Sequence, residues 1–155
     1  MKFRRFLVPL DFSECSRNAL GYAINLARHL EGSVEALHVW HTPYFVQPDM
    51  VLSLPHRPPV SIRDWVESRA LEEMESIIQR CPSSEVRVTL RLEEGEPEPE
   101  IVRRALQVAD AIVMGTERRS GIQRTLLGSS TEKVVRTSAV PVLVVPYDPI
   151  GEQPH

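Results

Sequence analysis

Cysteine, glycine and long apolar runs are all scarce in this 155-residue chain, and each scarcity removes a class of protein. No segment approaches the roughly 20 consecutive apolar residues that cross a bilayer, so no membrane span is expected. The apolar stretch Phe6 to Leu10 is interrupted by Asp11 and is too short for the core of a secretory signal, which predicts a cytoplasmic protein. Cys15 and Cys81 are too few for a disulfide framework and have neither metal-ligand spacing nor a neighbouring His; both are expected to be buried and reduced. An excess of basic residues is missing too. The net charge is -3, which excludes general nucleic-acid binding, because phosphates are neutralised by Lys and Arg. His38, His41 and His56 fit no zinc spacing, and no metal site is assigned. No Walker lysine follows a glycine pair and no G-x-G-x-x-G follows the first apolar run, so the commoner phosphate and dinucleotide motifs are excluded. Neither a Ser, His and Asp arrangement nor a carboxylate pair can be placed in one cleft, and no catalytic residue is assigned.

What is present is an ordinary globular composition, 42% hydrophobic and 25% charged, of a length suited to one domain. Residues 1–147 are read as that domain and 148–155 as a frayed tail. Phe6, Leu7 and Val8 read as a strand buried on both faces. Ser13 can cap a helix whose stripe of Leu20, Ala23, Ile24, Ala27 and Leu30 ends at Gly32, the expected C-terminal stop. Val34 to Trp40 is a second strand. His41 to Val60 contains five prolines and reads as a long loop, with Trp40, Tyr44 and Phe45 expected to help pack it. Ser61 with Asp64 forms a capping signal for a second helix carrying Ile62, Trp65, Leu71, Met74, Ile78 and Cys81. Val86, Val88, Leu90 and Leu92 alternate with polar residues, which marks a one-sided strand at a sheet edge. Pro97 opens a third helix with Ile101, Val102, Ala105, Leu106 and Ala109 turned inward. Ala111 to Met114, Gly128 to Ser138 and Val142 to Val145 complete the alternation. The chain is therefore expected to be α/β, a doubly wound parallel five-stranded sheet with helices on both faces.

The segment after the fourth strand carries the chemistry. Between Gly115 and Thr137, Arg118, Arg119, Arg124, Lys133 and Arg136 outnumber Glu117 and Glu132, which makes this stretch locally basic in an acidic chain. A solvated face and an anion site are both consistent with that excess. Gly128 lets backbone amides approach a phosphate closely, and the helix behind it presents unpaired N–H groups together with the hydroxyls of Ser129, Ser130 and Thr131. In open α/β sheets ligands bind at the carboxyl ends of strands where the strand order reverses, which would bring this loop opposite Asp11. Asp11 can serve there as a ligand contact or as the cap of the first helix.

Leu7-Val8-Pro9-Leu10-Asp11-Phe12-Ser13, Leu37-His38-Val39, Gly95 with Pro97, and Gly115 through Ser129 leading to Pro141-Val142-Leu143-Val144-Val145 resemble the universal stress protein family in order and spacing. The resemblance implies a sheet ordered 3-2-1-4-5, of the adenine nucleotide alpha hydrolase-like kind, and a homodimer built on the fifth strand. It also implies a regulatory module that binds ATP, AMP or another adenine nucleotide. Nucleotide-binding members carry G-x2-G-x9-G-(S/T). Gly115, Gly128 and Ser129 match its first Gly, last Gly and hydroxyl, while Asp11 and Val39 match the nucleoside contacts. Pro9, Leu10, Met114 and Ser130 flank these positions in the same crevice. Arg118 stands where the middle Gly is usual, either to pair with phosphate oxygens or to fill their space, the latter leaving a nucleotide-free interaction protein with an unknown protein partner. Mg2+ is left unassigned, and slow ATP hydrolysis is the most activity this pattern implies.

Overall fold

The computed structural model describes residues 3–81, 85–117 and 127–147. Strand β1 (Arg5–Pro9) is central, and its Phe6, Leu7 and Val8 are all buried. A strand covered on both faces has no position where a polar side chain would meet water, hence the unbroken apolar run. β1 lies parallel to β2 (Ser33–Trp40), with Leu7 opposite Glu35, and to β6 (Ala111–Glu117), with Phe6 opposite Ala111. The edges are β5 (Arg87–Glu94), parallel to β2, and β7 (Val142–Tyr147), parallel to β6. The order is β5-β2-β1-β6-β7. Counted within this sheet alone it reads 3-2-1-4-5; the chain numbering departs from that because two further strands intervene.

Successive residues of β1 serve opposite layers. Phe6 and Val8 pack with Leu20 and Ile24 of α1 (Glu14–His29) and with Met74 and Ile77 of α2 (Ile62–Gln79). Leu7 packs on the other side, with Leu37, Ile112, Ile101 of α3 (Pro97–Val108) and Val134 of α4 (Ser129–Thr137). The sheet is thus doubly wound, two helices to a face. Glu35 of β2 points into the second layer, where Arg104 of α3 grips its carboxylate with two hydrogen bonds of 2.6 and 2.8 Å. Such a bidentate pair satisfies both charges and keeps α3 in register with the sheet.

Several expectations are corrected. The long loop after β2 contains an antiparallel ribbon, β3 (Val51–Leu52) with β4 (Val60–Ser61), whose backbone pairing two-residue strands flanked by prolines do not advertise. Tyr44 and Phe45 do not pack this segment; they are 105% and 86% exposed, whereas Trp40 is buried. Helix α1 does stop just before Gly32, as expected, though the left-handed residue is not the glycine. Glu31 takes that conformation, φ 52°, and the Gly32 amide closes the turn on the Ala27 carbonyl at 2.8 Å. Gly32 is required for another reason, since a Cβ there would lie 2.2 Å from the Arg4 carbonyl oxygen. The buried face of α2 is Ala70, Met74 and Ile77, with Leu71 turned to solvent, and Leu106 of α3 is likewise exposed. The cysteines are half-buried rather than buried, and neither forms a disulfide. Among the described residues no helix is long and apolar enough to cross a membrane.

Candidate functional site

The strand order reverses between β1 and β6, and a cleft of about 370 Å³ opens at their carboxyl ends, a size that suits a small organic ligand. Pro9, Leu10 and Asp11 line it from the end of β1, Val39 from β2, Met114 and Gly115 from β6, and Gly128, Ser129 and Ser130 from the start of α4. Residues more than 100 positions apart in sequence thus meet in one concavity. Arg118 lies outside the described residues.

The β1 wall is held by a compact turn. Phe12 adopts φ 67°, which a bulky L-residue rarely does, and stacks on the His38 ring at 4.3 Å between centroids. His38 Nδ1 lies 2.6 Å from the Leu10 carbonyl, so this histidine is a structural brace. The reversal at Phe12 lets the Asp11 carboxylate accept hydrogen bonds from the Ser13 amide at 3.0 Å and hydroxyl at 2.5 Å. Ser13 in turn accepts from the Ser16 amide as the N-cap of α1. Asp11 therefore supports the cap instead of being the cap. Burial pushes its carboxyl pKa upward, but the hydrogen bonds from Ser13 outweigh that and hold it below the usual carboxylate range. Asp11 presents a negative charge at the rim.

The opposite wall rests on two glycines with different reasons. A Cβ on Gly115 would lie 2.1 Å from the carbonyl oxygen of Cys15, so β6 approaches the first turn of α1 as closely as backbone permits. At Gly128 an added Cβ would have no described atom within 4 Å. Packing among the described residues gives no reason for this glycine, which lines the cleft. It is also the N-cap of α4, without a side-chain cap, so the first amides of α4 retain hydrogen-bonding capacity beside the Ser129 and Ser130 hydroxyls. Thr131 is committed elsewhere, its hydroxyl donating to the Gly115 carbonyl at 3.2 Å. Thr116 and Cys15 also line the cleft, although neither stands out in the sequence as a site residue. Spacing from the Ser13 cap was the one available signal for Cys15. Among the described residues no group of three His, Cys, Asp or Glu could hold a metal.

The model of the universal stress protein family matches residues 2–146. The chain belongs to the universal stress protein family. Universal stress protein MJ0531 of Methanocaldococcus jannaschii is 32% identical over 145 residues, covering 92% of this chain and 82% of that one. Among solved structures, a universal stress protein in complex with cAMP aligns with a TM-score of 0.65 at 18% identity, covering 94% of this chain and 98% of the other. The universal stress protein from Archaeoglobus fulgidus in complex with dAMP aligns with a TM-score of 0.60 at 23% identity, covering 93% and 98%. At such identities these two structures establish the family fold.

Proposed function

We propose that this universal stress protein is a regulatory module that binds an adenine nucleotide, AMP or ATP, in the cleft between the ends of β1 and β6. The observation that carries the reading is Gly128: a glycine that packing among the described residues does not demand, standing with two serines at a helix N-terminus that has no side-chain cap among them, and lining the cleft. Such a terminus suits a phosphate, because unpaired amides and the helix dipole both favour negative charge. Asp11 and Val39 stand across the cleft from it, as a ribose acceptor and an apolar contact for a base. The cAMP and dAMP complexes of family members support the same ligand class.

Isothermal titration with AMP and ATP tests this. Saturable heat is expected, together with a rise in melting temperature, since a ligand at 100 times its Kd stabilises by about 2.7 kcal/mol. No heat and no shift at millimolar nucleotide refute it. A second reading, a nucleotide-free interaction protein with Arg118 filling the phosphate space, draws on the exposed Tyr44, Phe45, Met50 and Val51 of the long segment after β2. The Arg118→Gly variant separates the two: affinity that appears only in the variant favours the second reading, and affinity that falls makes Arg118 a phosphate contact.

A further inference from the structure

Helix α2 lines no part of the cleft between β1 and β6, and between this helix and the end of β2 lies a second concavity, a groove of about 540 Å³. The two cavities interleave along the chain without sharing a residue. Leu37 and Val39 line the cleft while His38 between them lines the groove, as the two-residue period of a strand requires. Asp11 and Ser13 likewise belong to the cleft, and the left-handed turn at Phe12 sends the ring between them to the groove. Val66, Ala70, Glu73 and Ile77 share one face of α2. Ile77 is packed into the core, but nearer the start of the helix that face meets Phe12 and His38 across the groove. There Glu73 interrupts the apolar stripe, held by Arg17 at 3.0 Å.

The chemistry of the lining selects an occupant. Phe12, Val66 and Ala70 supply an apolar surface, and the Phe12 and His38 rings, stacked at 4.3 Å, form an aromatic wall on which a further ring can pack. The charged groups are already matched: Arg69 donates to Glu72 at 2.8 Å, and Glu73 accepts from Arg17. An ionic ligand would have to compete with those pairs. His38 is different. Its Nδ1 lies 2.6 Å from the Leu10 carbonyl, and a carbonyl only accepts, so Nδ1 carries the proton. An imidazole in that tautomer accepts through Nε2, and no described residue donates to it. Nε2 also keeps accessible surface, unlike the sealed, unpartnered polar atoms of Trp40 and Thr116. With Nδ1 and one ring face taken, His38 meets the groove through its Nε2 edge.

From this arrangement we propose that the groove is a second ligand site, which takes a small planar aromatic compound carrying one N–H or O–H donor. The ring lies against Phe12, Val66 and Ala70, and the donor bonds to His38 Nε2. The site does not depend on nucleotide binding in the cleft.

Indole is the probe, and N-methylindole, which keeps both rings but lacks the donor, is its control. Each is titrated into the isotopically labelled protein while backbone amide chemical shifts are followed. Saturable shifts are expected at Phe12, His38, Val66 and Ala70, with Gly115 and Ser129 unmoved. N-methylindole is expected to bind about tenfold more weakly, because it leaves Nε2 desolvated and unpaired. Val66→Trp is expected to abolish the shifts, since the new ring fills the groove from α2. No saturable shift at millimolar indole, shifts centred on Gly115 and Ser129, or equal affinity for N-methylindole overturns the proposal. The two titrations of the wild-type protein decide it even where Val66→Trp folds poorly.

Discussion

At the scale of single residues, Gly115 and Gly128 separate stability from binding. Gly115→Ala is expected to destabilise by about 2 kcal/mol, the usual cost of overpacking, because its Cβ would meet the Cys15 carbonyl oxygen at 2.1 Å and backbone cannot step aside. Gly128→Trp is expected to cost no more than about 1 kcal/mol, the loss of a favoured N-cap residue, since its Cβ meets no described atom, yet to weaken AMP at least about tenfold by filling the cleft mouth. Denaturant melts and calorimetry on the two variants check the contrast. Asp110 makes a second prediction. It accepts from the Arg4 and Arg5 amides and from the Arg5 guanidinium at 2.7 Å, which lowers its pKa from 3.8 to about 2. Because the folded pKa lies below the unfolded one, its contribution is complete above about pH 4 and is lost as pH falls through about 2. At this partly exposed position beside the start of β1 it is worth about 1 kcal/mol after solvent screening, and Asp110→Asn should flatten that part of an acid denaturation curve.

At the scale of elements, helix ends were only partly legible. Ser13 and Ser61 were identifiable as caps, and they accept from the Ser16 and Asp64 amides as capping chemistry requires. Helix α1 ends close to where Gly32 marks the stop, but not with that glycine as the left-handed residue that commonly closes a helix. Here the close approach of Arg4 claims the glycine, and Glu31 takes the strained conformation one position earlier. Glu31→Gly is therefore expected to stabilise by about 0.5–1 kcal/mol, since left-handed geometry is disfavoured for residues with a Cβ. The exposed Arg4 pair it removes contributes little. A rise in melting temperature of about 2 °C would show it, and no rise would mean that the turn carries no strain. The β3–β4 ribbon was hidden for a different reason: two-residue strands have too few positions to show alternation.

At the scale of the whole molecule, β7 leaves one edge of the sheet unpaired among the described residues, with Leu143 43% exposed on it. Such an edge is a template for a second strand, and we propose that two copies pair there as a homodimer. Pro146 supplies no amide, which confines pairing to Val142–Val145. Light scattering is expected to give twice the monomer mass for the wild type and the monomer mass for Leu143→Arg; a monomeric wild type would refute the interface.

The alternation of buried strands with amphipathic helices, and the order in which they follow one another, were determined by the sequence alone, because periodicity reports burial directly. So was the family, whose motifs span the chain. The cleft was only half visible. Asp11, Gly115, Gly128 and Ser129 could be named from spacing and resemblance, but the reasons for them could not. That Gly115 answers to a backbone contact while Gly128 answers to open space depends on what lies across from each, and sequence carries no record of its distant neighbours. Cys15 and Thr116 joined the site for the same reason. The approach of α1 to β6 brings positions a hundred residues apart within reach, and only the closed sheet, packed from both faces, decides which of them touch.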